Sequence, residues 1–206
     1  MKDSLLLFID FEFTMPEGKE NPIGFFPEII EAGYFAVSGQ KVIEKFSSYV
    51  IPSHFPHLTA RCKSFLKITQ QQVSNGMAFE KLIERLSYLN KQAPTTVITW
   101  GNMDMKVLKQ NCAKLNIPFP LHGTFRDLSM EYKKFFGDRN HTGLWKAVEE
   151  YGKEGTGKHH RALDDAITTY HLFKLVEKDK KYLAKPEPTT IGERIDLSKM
   201  YQKFAT

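Results

Sequence analysis

Apolar residues fall first into three runs of strand length. Leu5-Leu6-Leu7-Phe8-Ile9-Asp10-Phe11-Glu12-Phe13 is almost continuously apolar and predicts a buried strand. Glu28 to Val37 predicts a second strand, closed by the turn Ser38-Gly39-Gln40, and Val42 to Val50 a third, stopped by Pro52. The segment from Thr14 to Pro27 holds three prolines and two glycines and reads as a loop. Strands this close in sequence predict an antiparallel three-strand meander.

From Thr69 the period changes. Phe79, Leu82, Ile83, Leu86 and Leu89 recur at helical spacing. Thr95 to Trp100 is a short β-branched strand. Met105, Leu108, Cys112 and Leu115 mark another helix, ended by Asn116 and Pro118. Asp127 to Phe136 and Gly143 to Tyr151 predict two shorter helices. A final helix runs from near Arg161 to about Lys178. Strands followed by helices predict an α/β fold, a mixed sheet with the meander and added parallel strands, flanked by helices. One domain over residues 1–180 is expected, followed by a Lys- and Pro-rich tail over 181–206.

Composition narrows the partners. The chain has 206 residues, 41% of them apolar and 26% charged, enough to bury a core. A net charge of +5 favours a polyanionic partner. Cys62 and Cys112 supply neither a metal-binding spacing nor a disulfide framework, which fits a reducing cytoplasm. The apolar start is too short to span a membrane, and Asp10 and Glu12 interrupt it. A cytoplasmic protein with no membrane role is expected.

The chemistry starts in the first strand. Asp10 and Glu12 are two residues apart, so they share a strand face. Like charges in so apolar a run repel and resist burial, and no Lys or Arg within it offsets them. A divalent cation is one local remedy; a distant Arg for one acid and solvent for the other is the alternative. Asp104 follows the Thr95–Trp100 strand where a helix begins, and a first-turn acid there is also favourable without a metal. His159-His160-Arg161-Ala162-Leu163-Asp164-Asp165 opens the last helix. His159 with Asp164 and His160 with Asp165 have identical spacing, and helical periodicity does not choose between them. Oxygen-rich donors suit Mg²⁺ or Mn²⁺ better than zinc.

Asp10-Phe11-Glu12, Asp104 after a Trp-containing strand, and His-X-X-X-X-Asp at the last helix together resemble the DEDDh branch of the DnaQ-like 3′–5′ exonucleases. Pro27-Glu28-Ile29-Ile30-Glu31 and the stretch from Cys62 to Val73 are similar to its enhanced-RNA-interference exoribonuclease subgroup. The resemblance covers about residues 3–180. It implies an RNase H-like fold and a two-metal 3′–5′ exonuclease acting on a single-stranded RNA or DNA with a free 3′ end, to release nucleoside 5′-monophosphates. It also resolves the register: Asp10, Glu12, Asp104 and Asp165 would hold two Mg²⁺ or Mn²⁺ ions, and His160 would be the general base. A bacterial member of the same group is described as an inhibitor of the KinA pathway, which implies a link to sporulation.

Phe13, Thr14, Phe65 and Leu66 are candidates to cradle the terminal nucleotide by backbone contact and stacking. Lys158, His159, Arg161 and Lys106 could guide phosphates. Lys67 departs from the family pattern, standing where related sequences have Gly. The competing expectation is a catalytically idle regulator that keeps the fold and binds nucleic acid or a signalling protein.

Overall fold

The computed structural model describes residues 4–18 and 20–184. Strands β1 (Leu5–Phe13), β2 (Ile29–Ser38) and β3 (Lys41–Ile51) form the expected antiparallel meander, with Asp10 opposite Gly33 and Glu12 opposite Glu31. After β3 come two helices the periodicity did not reveal, α1 (Ala60–Leu66) and α2 (Gln70–Ser74), and a two-residue strand β4 (Met77–Ala78) parallel to β3. These helices are too short to display a face. Their signal lies in capping: Thr59 and Thr69 accept from the backbone amides of Cys62 and Gln72, and Gln72 completes a capping box.

Helix α3 (Phe79–Gln92), strand β5 (Thr95–Thr99) and helix α4 (Met103–Lys114) follow at the expected places. Strand β6 (Thr124–Asp127) then pairs parallel with β5. It went unforeseen because Thr124-Phe125-Arg126-Asp127 is short and mostly polar. The sequence pattern assigned its last residue, Asp127, to the next helix, whereas that side chain accepts from the Met130 amide and caps α5 (Leu128–Phe136). Helices α6 (Leu144–Glu150) and α7 (Ala162–Leu183) complete the order.

The sheet runs β4-β3-β2-β1-β5-β6, with β1 antiparallel to β2 and parallel to β5. Side-chain alternation in β1 divides the core. Leu5, Leu7, Ile9 and Phe11 face one cluster with Phe79, Leu82, Leu86, Val107 and Leu108 from α3 and α4. Phe8 faces the other, with Phe35, Ile98, Leu128 and Ala166. On that side Phe8 meets Tyr170 and Phe173 of α7 edge-on, ring centroids 5.3 Å apart in each case.

Asp10 and Glu12 continue the Phe8 face, so the packing that seats α7 also brings its first turn to the carboxylates. Gly33 permits this approach: a Cβ there would collide with the backbone of Ala162 and Leu163. The site lies within a compact unit ending at Phe173. A second unit begins at Lys174, and its described part is the remainder of α7 and Ala184. Most of the expected tail, residues 185–206, lies outside the described residues. Among the described residues no helix is long and apolar enough to cross a membrane.

Candidate active site

The pairing of β1 with β5 stops at Phe8–Ile98, and β1 continues alone on that side. A crevice at the carboxyl end of a strand, where neighbouring connections diverge, is a recurrent ligand position in α/β sheets. Here the first turn of α4 reaches β1. Asp104, in the first turn of α4, accepts from the Phe11 amide at 2.9 Å. The bond spans 93 positions of sequence and fixes this acid against the strand that carries Asp10 and Glu12.

Asp165 enters from α7. The Trp145 indole N–H donates to its Oδ1 at 2.6 Å and the His160 amide to its Oδ2 at 3.1 Å. Ligand atoms of Glu12, His160 and Asp165 all lie within 4.8 Å of one another. Glu12, Asp104 and Asp165 are buried, and Asp10 keeps partial exposure.

The acids disturb one another. Burial, then the charges of Asp104, Asp165 and Glu12, hold the Asp10 carboxyl well above its usual range. Burial, then Asp165 and Glu31, push Glu12 up to about 8, against a lowering effect of Arg161. Burial pushes Asp104 up to about 7 despite the Phe11 amide. Asp165 is also raised by burial, which outweighs the Trp145 hydrogen bond. Protein groups alone therefore leave this cluster short of positive charge. Its hard oxygen donors fit a divalent metal ion in ligand type and in the countercharge they need.

His160 sits in left-handed backbone, φ 61°, an uncommon state for a non-glycine residue. Its ring stacks on His159 at 4.1 Å and contacts Phe65 at 4.6 Å, and Nδ1 is 4.0 Å from Glu12 Oε1. Burial, then the charges of His159, Arg161 and Lys67, lower its pKa. A neutral ring able to accept a proton follows near neutral pH.

The four nucleotide-cradling candidates are placed differently. Phe65 is 51% exposed beside the His160 ring. The Leu66 side chain is buried with Ile30 and Cys62, and its carbonyl accepts from Arg161. Thr14 is buried, its hydroxyl accepting from the Glu28 amide at 2.9 Å. Phe13 packs against the core that underlies β1.

Sequence reasoning missed two supports. Trp145 carried no signal, because a lone Trp on a short helix resembles any core anchor. Glu31 did carry one: it is an acid in an apolar strand, as Glu12 is. It pairs with Arg161 at 2.9 Å and accepts from the Ala162 amide at 3.3 Å. Arg161 also donates to the Tyr49 hydroxyl, so a single side chain joins β2, β3, α1 and the start of α7.

The exonuclease family model RNase_T matches residues 7–173. The probable 3′–5′ exonuclease KapD of Bacillus subtilis (strain 168) is 64% identical over 203 residues, covering 98% of this chain and 99% of its own. ERI1 exoribonuclease 2 of Xenopus laevis is 30% identical over 81% of this chain, and human 3′–5′ exoribonuclease 1 is 29% identical over 78% of it. The match spans only 27% and 49% of the length of those two relatives. Among solved structures, the nuclease domain of 3′hExo, a DEDDh family member bound to rAMP, superposes with a TM-score of 0.76 at 26% identity, over 86% of this chain and 94% of that one. Escherichia coli exonuclease I in complex with a dT13 oligonucleotide shares the fold, with a TM-score of 0.69 at 18% identity over 87% of this chain and 42% of its own. The sheet is that of the RNase H-like DEDDh exonucleases, and the chain belongs to the exonuclease family.

Proposed function

We propose that the protein is a metal-dependent 3′–5′ exonuclease that trims single-stranded RNA or DNA and releases nucleoside 5′-monophosphates. The observation that carries this reading is the meeting of Glu12, His160 and Asp165 within 4.8 Å beside two further acids, Asp10 and Asp104.

Asp10, Glu12, Asp104 and Asp165 are the side chains that would hold a pair of Mg²⁺ or Mn²⁺ ions. Such a pair, when bound, supplies countercharge to the attacking and leaving oxygens of a phosphodiester. The chain's own residues do the rest. His160 takes the proton of the attacking water at its imidazole, which its depressed pKa keeps neutral. Trp145 and the His160 amide hold Asp165 in one orientation. Phe65, exposed beside the His160 ring, offers a stacking face to the terminal base, and contacts of that nucleotide with Phe13, Thr14 and Leu66 would run through their main chain.

The test is digestion of matched 5′-labelled RNA and DNA single strands with Mg²⁺ or Mn²⁺. Shortening from the 3′ end with mononucleotide release, lost in EDTA and in Asp104→Ala, is expected. Internal cuts on a circular strand would favour an endonuclease, and binding without any shortening would favour an idle regulator. A link to sporulation, implied by the resemblance, is part of the same proposal. In a spore-forming host, spore yield should change with an Asp104→Ala allele.

A further inference from the structure

Beside the acidic crevice lies a cavity of about 410 Å³ of opposite character, lined by Tyr49, Leu66, Lys67, Gln72, Lys158, His159 and Arg161. We propose that this cavity is a phosphate subsite that holds a phosphate of the bound strand other than the one being cleaved. The inference rests on the exonuclease reading and adds to it the residues that distinguish a strand from a single nucleotide.

Three observations carry it. The first is charge: Lys67 and Lys158 line one concavity together with Arg161, whose own charge is answered by Glu31 behind it, and none of the lining residues is a carboxylate. The second is availability. Arg161 is engaged by Glu31, the Tyr49 hydroxyl and the Leu66 carbonyl, so it is held rigid at the cavity wall. The ammonium groups of Lys67 and Lys158 have no ion-pair partner among the described residues, and both residues are exposed. The third is backbone. Lys67 ends α1 in left-handed conformation, φ 53°, where Gly would be relaxed. A strained lysine facing a basic cavity points to a use for its side chain. His159 lines the same cavity and stacks on His160, so a phosphate seated there would lie one ring away from the general base. The Tyr49 hydroxyl and Gln72 add neutral polar groups.

Lys67→Gly is the informative variant, because Gly suits the backbone and the fold should keep its melting temperature. Lys158→Gln is the second. Two substrates separate the outcomes: a single-stranded octanucleotide, and the p-nitrophenyl ester of a nucleoside 5′-monophosphate, which has one phosphate and none to place in the cavity. Each variant is expected to raise KM for the octanucleotide about 5- to 30-fold. For binding of the octanucleotide in EDTA, each should flatten the plot of log Kd against log salt by about 0.7. For Lys158→Gln, kinetics on the ester should stay as in the wild type; for Lys67→Gly they should do so at a pH of about 8, where His160 is neutral with or without the neighbouring ammonium. Unchanged KM and salt slope in both variants would overturn the subsite. Equal loss on both substrates would also overturn it, since the lysines would then act through the acidic site. If the wild-type protein hydrolysed neither substrate, the exonuclease reading itself would fail.

Discussion

His160 carries the most chemistry of any single residue in this account, and its position explains its backbone. The left-handed turn at φ 61° lets its amide bond Asp165 while its ring reaches towards Glu12. His160→Ala should lower turnover by roughly 10²–10⁴-fold, with Mn²⁺ affinity retained. An equal fall in metal affinity, measured by calorimetry, would reassign the ring as a ligand. Trp145 acts one step away. Trp145→Phe keeps the ring packing but removes the 2.6 Å bond to Asp165, and should weaken metal affinity or activity about 10–100-fold. Titration of Mn²⁺ into that variant checks it, and an unchanged affinity would leave Trp145 a packing residue only. Asp10 and Glu12 stood out in the sequence because acids are conspicuous in an apolar strand, whereas the choice of His160 with Asp165 over His159 with Asp164 came from the family resemblance. Trp145 did not stand out, because its indole N–H acquires meaning only from the acid it faces.

At the scale of elements, the site depends on how closely α7 approaches β2. Gly33 sits opposite Asp10 in the antiparallel register, and Ala162 and Ala166 are fully buried on the facing helix. Small residues on both sides let the helix lie against the strand. Gly33→Ala forces a Cβ into the Ala162–Leu163 backbone. The expected loss is about 1–3 kcal/mol of stability, from chemical denaturation, with a larger proportional loss of activity because Asp165 moves with the helix. A fully active Ala variant would show that helix placement is loosely coupled to the acids. Long elements were readable from period alone, as with β1 and α3. The pieces that failed were α1, α2, β4 and β6, of seven residues or fewer. Their backbone is specified by caps and neighbouring strands, and a short segment cannot display a period. Register was equally hidden. That Glu31 stands opposite Glu12, and is answered by Arg161, follows from pairing that no local pattern reveals.

For the whole molecule, the cluster makes stability depend on pH in an unusual direction. Glu12 and Asp104 bind protons more tightly folded than unfolded, with values of about 8 and 7 against ordinary ones of 4.5 and 3.8. The stability this confers is fully present below the ordinary values. It is lost as pH rises through about 7 for Asp104 and about 8 for Glu12. In EDTA the protein should therefore melt at a lower temperature at pH 9 than at pH 6. Added Mg²⁺ should narrow that gap by binding the ionised form of the cluster. A metal-free protein with equal or greater thermal stability at pH 9 would contradict this balance.

The most direct measurement is a calorimetric titration of Mn²⁺ into the protein in the presence of a nucleoside 5′-monophosphate. The account predicts two ions bound per chain, with at least one lost in Asp10→Asn and in Asp104→Asn while both variants stay folded. Binding stoichiometry and affinity indifferent to both substitutions would contradict it.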